Sequence, residues 1–144
     1  MNIGALEEPD RKKVDLESLA WPSDEIVRHV LFVHDDDHWN KNVFTTILHS
    51  VSPSCVLHTA DTNEEALAIT LKQTIDIVFI ESVMCIWLID KIHTTLATRP
   101  FIVYASNPLA KPSPFVDASI SKPYMSEEIK RVFESESLKI RNTL

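Results

Sequence analysis

Ile75-Asp76-Ile77-Val78-Phe79-Ile80, followed by Glu81, is the stretch on which the fold turns. Four of its first six residues are β-branched and a fifth is aromatic, the side chains that fit a pleated sheet best. From Ile77 to Ile80 the run is apolar without interruption, as expected of a strand covered on both faces. It then stops on an acid. A second run, Val30 to Val33, has the same character and stops on His34-Asp35-Asp36-Asp37. Two doubly covered strands that each end in acids predict a parallel sheet with chemistry at its carboxyl ends.

The remaining pattern fits between and after these strands. Trp39, Val43 and Ile47, with Phe44 and Leu48, recur at helical spacing behind Asp37, which is a plausible N-cap. Ser52-Pro53-Ser54 ends that helix, and Cys55 to Ala60 reads as a strand. Thr62-Asn63-Glu64-Glu65 is a capping box that opens a helix through about Gln73. Residues 86–97 form a third helix stopped by Arg99-Pro100, and Phe101 to Tyr104 is a fourth strand. Val116 to Ser121 is a weak fifth strand. Ser126 caps a last helix on which Ile129, Val132 and Phe133 share a face. Strand and helix alternate, which predicts a doubly wound five-stranded parallel sheet with helices on both faces.

Composition narrows the function classes. The chain has 144 residues, 44% of them hydrophobic and 24% charged, enough for one domain with a real core. A net charge of −7 argues against an electrostatic grip on nucleic acid or an anionic membrane. No apolar run approaches the ~18 residues of a membrane span, and the polar N-terminus does not read as a secretory signal. Cys55 and Cys85 make no disulfide framework, which fits reduced thiols in a cytoplasmic protein. Residues 1–28 are expected to be a flexible arm, with a helical turn near Val14 to Trp21, and 29–144 the folded domain. The only glycine is Gly4, so the body must turn on Asn, Asp, Ser and Pro. A phosphate-cradling glycine loop is therefore not available, which ranks a cofactor-binding enzyme lowest.

Four segments in order, over roughly residues 29–136, resemble the response-regulator receiver domain. VLFVHDDDHWN (30–40) is similar to its first strand and acidic pocket, and LHTADTNEEAL (57–67) to its second strand and helix. IDIVFIESVM (75–84) resembles the third strand, with Glu81 where the family carries its phosphorylated aspartate. SISKPYMSEEI (119–129) resembles the fifth strand with its Lys-Pro pair, here Lys122 and Pro123. The resemblance implies a flavodoxin-like sheet in the order 2-1-3-4-5. It also implies a site in which a carboxylate takes a phosphoryl group while Mg²⁺ offsets the charge.

At the acidic pocket two registers are open. One makes Asp35 and Asp36 the metal-side pair with His34 at the strand end; the other puts His34 in the first acidic position. In the first register Asn40 also falls into place. Asp36 and Glu81 are then the residues that would hold Mg²⁺ if the pocket still works; otherwise no cofactor is expected.

Departures from the family pattern accumulate around that pocket. Glu81 carries its carboxylate one methylene further out, and displacements near 1 Å can cost on the order of a hundredfold in rate. It brings one negative charge where a phosphate brings nearly two and three acceptor oxygens. Ala105 falls where the fourth strand usually ends in Thr or Ser, with Ser106 one place late, and Ser119 falls where the switch aromatic belongs. Three prolines, Pro108, Pro112 and Pro114, interrupt the region of the fourth helix, which is expected to be shortened or lost. Trp39 and Trp87 read first as packing residues; a short loop before Trp87 would instead leave it exposed beside the pocket as a partner site. The expectation is a non-enzymatic pseudo-receiver that signals through a protein partner without phosphorylation and carries no output domain of its own. Its alternative is a stand-alone receiver with weak Mg²⁺-dependent phosphotransfer at an atypical site. Homodimerisation is left open.

Overall fold

The computed structural model describes residues 27–34, 38–81, 85–106 and 113–143. Five strands and four helices follow one another: β1 (His29–Val33), α1 (His38–Val51), β2 (Val56–Ala60), α2 (Asn63–Lys72), β3 (Ile77–Ile80), α3 (Cys85–Thr95), β4 (Phe101–Ser106), β5 (Ala118–Ser121) and α4 (Ser126–Thr143). All neighbouring strands are parallel, in the order β2-β1-β3-β4-β5. This is the expected 2-1-3-4-5 sheet. Its centre is the pair read first from the sequence: Val30 to Val33 aligns with Ile77 to Ile80, and all eight are buried.

Burial of both faces explains why these strands carry no polar alternation. On one face Phe32, Phe79 and Val103 meet Phe44 and Leu48 of α1 and Ile129, Val132 and Phe133 of α4. Phe44 lies nearly parallel to Phe32 at 4.1 Å and edge-on to Phe79 at 4.8 Å, so one ring of α1 locks two strands. On the other face Leu31, Val78, Ile80 and Ile102 meet Ala66 of α2 and Leu88, Ile89 and Ile92 of α3. The capping box holds: Thr62 accepts from the Glu65 N–H at 3.1 Å, and Glu65 reaches back to the Asp61 N–H at 3.3 Å. The predicted N-cap Asp37 and the predicted turn near Val14 to Trp21 lie outside the described residues.

No helix occurs between β4 and β5 among the described residues, in line with the three prolines. The crossover is instead tied down by polar contacts. Asp117 Oδ2 accepts from the Ile102 N–H at 2.8 Å and from Arg99 Nη1 at 3.3 Å, while Oδ1 takes Lys139 Nζ at 2.7 Å. Arg99 Nη1 also donates to the Phe115 carbonyl at 3.0 Å, and the Phe115 ring stacks on His93 at 3.6 Å. Phe115 and Val116 thus cover part of this sheet face.

At the same end of the sheet Arg28, the last residue of the expected arm, is buried and pairs with Glu136 of α4 at 3.0 Å, with Ser137 Oγ 3.3 Å away. Burial raises the Glu136 pKa above its ordinary value even though Arg28 pulls the other way. Desolvation outweighing a close ion pair is the usual balance for two charges taken out of water.

Two outcomes follow. Thr62→Ala removes the cap of α2 and should lower unfolding free energy by about 1 kcal/mol, with an unchanged denaturant slope. The folded chain holds the Glu136 proton more tightly than the unfolded chain does. The stabilisation from this group is therefore complete below the ordinary value of 4.5 and is lost as pH rises through the raised pKa. Chemical denaturation from pH 4 upward should show that decline, and Glu136→Gln, which can still accept from Arg28, should flatten it.

Candidate functional site

The carboxyl ends of β1, β3, β4 and β5 converge on one side of the sheet, and β3 ends directly on Glu81. The Glu81 N–H donates to the Val33 carbonyl at 2.8 Å, which prolongs the β1–β3 ladder by one bond. Its side chain is only 2% exposed, so the carboxylate is lodged inside the protein. A buried carboxylate needs partners, and two reach it from the chain just beyond β5. Lys122 Nζ stands 3.3 Å from Glu81 Oε2, with its stem 43% exposed. The Tyr124 hydroxyl donates to the same oxygen and also lies 3.4 Å from the Ala105 carbonyl oxygen. Lys122 and Pro123 are joined by a cis peptide bond.

Tyr124 is 4% exposed and its ring is built into the core. It stands edge-on to Phe32 at 6.2 Å and to Phe44 at 5.5 Å. Its position is therefore fixed by apolar packing, while its hydroxyl is delivered to Glu81. One side chain links the ends of β3 and β4 to the turn after β5. The extra methylene of Glu81 acquires a use here: it carries the carboxylate out to where a hydroxyl and an ammonium both meet it.

Sequence reasoning selected Glu81 and Lys122, and the structure brings them together. It did not select Tyr124. The signal was present in the Lys122-Pro123-Tyr124 triplet, since an aromatic with a polar tip suits a core position next to a buried acid. The other selected positions fall as follows. Ala105 is fully buried at the end of β4, and Ser106 continues β4 opposite Ser121. Ser119 lies on β5 with its Oγ buried and without a hydrogen-bond partner among the described residues. His34 directly follows β1 and is buried, its N–H donating to the Ala60 carbonyl at 3.0 Å and its ring 5.5 Å from Phe32. Asp35 and Asp36, the rest of the acidic pocket, lie outside the described residues. Among the described residues, no group of three or more His, Cys, Asp or Glu side chains could hold a metal.

The rim carries large apolar groups. Ile86 is 54% and Trp87 42% exposed on the first turn of α3, so Trp87 is not a core packing residue, and Met125 is 54% exposed just before α4. Lys91 Nζ sits 5.9 Å from the Trp87 ring centroid. Cys55 is buried near the far end of the sheet, where burial pushes its thiol pKa up, the opposite of an activated nucleophile. No described helix is long and apolar enough to cross a membrane.

Comparison with solved structures places this architecture. The chain is similar to the response regulatory domain of MrkE from Klebsiella pneumoniae at 17% identity and a TM-score of 0.63, covering 79% of this chain and 98% of that one. It is similar to HP1043, an orphan response regulator of H. pylori, at 14% identity and a TM-score of 0.61, covering 76% and 95%. It also resembles the receiver domain of Saccharomyces cerevisiae Ssk1, solved with the histidine phosphotransfer signalling protein Ypd1, at 17% identity and a TM-score of 0.61, covering 78% and 91%. No family model matches the sequence, and no curated protein matches it. The chain has the fold of a response-regulator receiver domain, with glutamate where the resemblance places the acceptor aspartate.

Tyr124→Phe keeps the ring and removes the hydroxyl. A hydrogen bond to a buried charge is worth about 1.5–3 kcal/mol. Equilibrium denaturation should show a loss of that order, whereas Lys122→Met, acting on a partly exposed partner, should cost less.

Proposed function

We propose that this chain is a pseudo-receiver: a non-enzymatic signalling or adaptor module that acts through a protein partner without being phosphorylated. The observation that carries this reading is the closed contact at Glu81. An acceptor carboxylate must present a free oxygen to a phosphoryl donor and share the site with a divalent cation. Here Glu81 Oε2 is engaged by both Tyr124 and Lys122, and the side chain is buried. The lysine that would greet the incoming phosphate already has its counter-charge. Ala105 offers no hydroxyl to a phosphoryl group, and Ser119 offers no aromatic to follow it. Mg²⁺ would rely on Asp35 and Asp36, with Glu81 withdrawn into its own contacts.

Partner binding is supported by the apolar rim. Ile86, Trp87 and Met125 stand exposed at the end of the sheet where receiver chemistry is located, and exposed groups of this size mark contact surfaces. Protein partnership is also what the Ssk1 receiver domain exhibits with Ypd1. The net charge of −7 gives no support to a direct nucleic-acid role. Composition favours the cytoplasm, and a second copy of the chain is one candidate partner.

The test is a Mg²⁺ titration with and without beryllofluoride, followed by amide chemical shifts and Trp fluorescence. The expected result is no saturable response at Glu81 or Lys122 and no covalent label from a small phosphodonor. Saturable shifts there, extended by beryllofluoride, would overturn the proposal and make the chain a weak but working receiver.

A further inference from the structure

The amino-terminal end of the sheet, away from Glu81, carries two histidines on adjacent strands. His29 opens β1 opposite Val56, and His58 lies on β2 opposite Leu31. Each is thus two residues along from the other's partner, on the same face of the sheet. Both side chains are partly exposed. Their rings meet edge to edge: His29 Nδ1 is 3.2 Å from His58 Nε2, with a centroid separation of 5.4 Å and an interplanar angle of 15°. That centroid separation is the nitrogen–nitrogen distance plus one ring radius on each side, so the two nitrogens face each other rather than the ring planes.

We infer that His29 and His58 form a two-histidine site for a divalent transition metal such as Zn²⁺. Two Zn–N bonds of about 2.0–2.1 Å meeting at the tetrahedral angle span about 3.3 Å. The two nitrogens already stand at that spacing, and a turn of each ring aims both lone pairs at one point. Imidazole nitrogen is a preferred ligand for Zn²⁺, Cu²⁺ and Ni²⁺. In the hydrogen-bonded pair one facing nitrogen bears a proton. Metal binding moves that proton to the other nitrogen of the same ring, so a neutral pair takes up the ion without net proton loss. The Gln73 side-chain amide nitrogen lies beside the His58 ring, 3.1 Å from Nδ1 and 3.0 Å from Nε2.

His58 is also suited to the role at neutral pH. Burial, and then the neighbouring His29, lower its pKa below the ordinary value of 6.5, which keeps the imidazole unprotonated and able to bind. No third His, Cys, Asp or Glu joins the pair among the described residues, so water completes the coordination. The site would tie β2, an edge strand, to its interior neighbour β1.

The experiment is a ZnCl₂ titration of the full chain at pH 7.5, read by calorimetry and by histidine side-chain ¹H–¹⁵N spectra. Expected are one saturable equivalent, shifts of the His29 and His58 ring nitrogens, and an affinity loss of at least about tenfold in His29→Gln and in His58→Gln. His49→Gln, on the exposed end of α1, should bind like wild type, and backbone amide spectra report that each variant is folded. Absence of saturable binding by wild type, or unchanged binding by the folded His29→Gln/His58→Gln double variant, would overturn the inference.

Discussion

A single buried negative charge organises the functional end of this molecule. Glu81 must sit at the end of β3 because Ile77 to Ile80 place it there, with no water to solvate its carboxylate. An ionised carboxylate in that position is tolerable only when hydrogen-bonded and paired. Tyr124 and Lys122 meet both needs at one oxygen, and they do so from a turn that packing against Phe32 and Phe44 holds in place. The same three residues therefore satisfy a structural demand and, on the proposed reading, close the site to phosphoryl chemistry. Structural and functional roles here are one constraint seen from two sides.

The architecture was legible because its strongest signals are local and redundant. Val30 to Val33 and Ile77 to Ile80 could hardly be anything but doubly covered strands, and Thr62 with Glu65 marked its helix to the residue. Boundaries were less secure where backbone pairing, rather than composition, decides them. Val116 and Asp117 read as strand, but Asp117 turns its carboxylate onto Ile102, Arg99 and Lys139 and serves as a knot before β5 begins at Ala118. The fourth strand reads as Phe101 to Tyr104 from composition, whereas β4 continues through Ala105 and Ser106 on bonds supplied by β5. Such contacts join residues far apart in sequence, and no periodicity reports them.

Part of the site was legible in the same way. Glu81 and Lys122 stood out because each ends or follows a recognisable strand. Tyr124 did not, since its ring and its hydroxyl have separate duties. An aromatic residue between Pro123 and Met125 reads as packing, and packing accounts for the ring. Only the three-dimensional convergence of β3, β4 and the turn after β5 reveals that the hydroxyl has an acceptor. Arg28 shows the same limit, because its buried partner Glu136 lies more than a hundred residues away along the chain.

The described part of the connection between β4 and β5, residues 113–117, contains no helix and still has to cover the sheet. A parallel sheet is buried on both faces, so its apolar surface needs cover beside β4 and β5. Phe115 on His93, Val116 beneath it, and Asp117 bound to three partners supply that cover with few residues. Polar knots of this kind hold one geometry rather than slide between two, because each broken bond leaves a partly buried donor or acceptor unmet. They fix the amino end of β4 and β5, while Tyr124 and Lys122 hold Glu81 at the carboxyl end. On the proposed reading, Ile86, Trp87 and Met125, exposed at that carboxyl end, are the groups a partner would meet first.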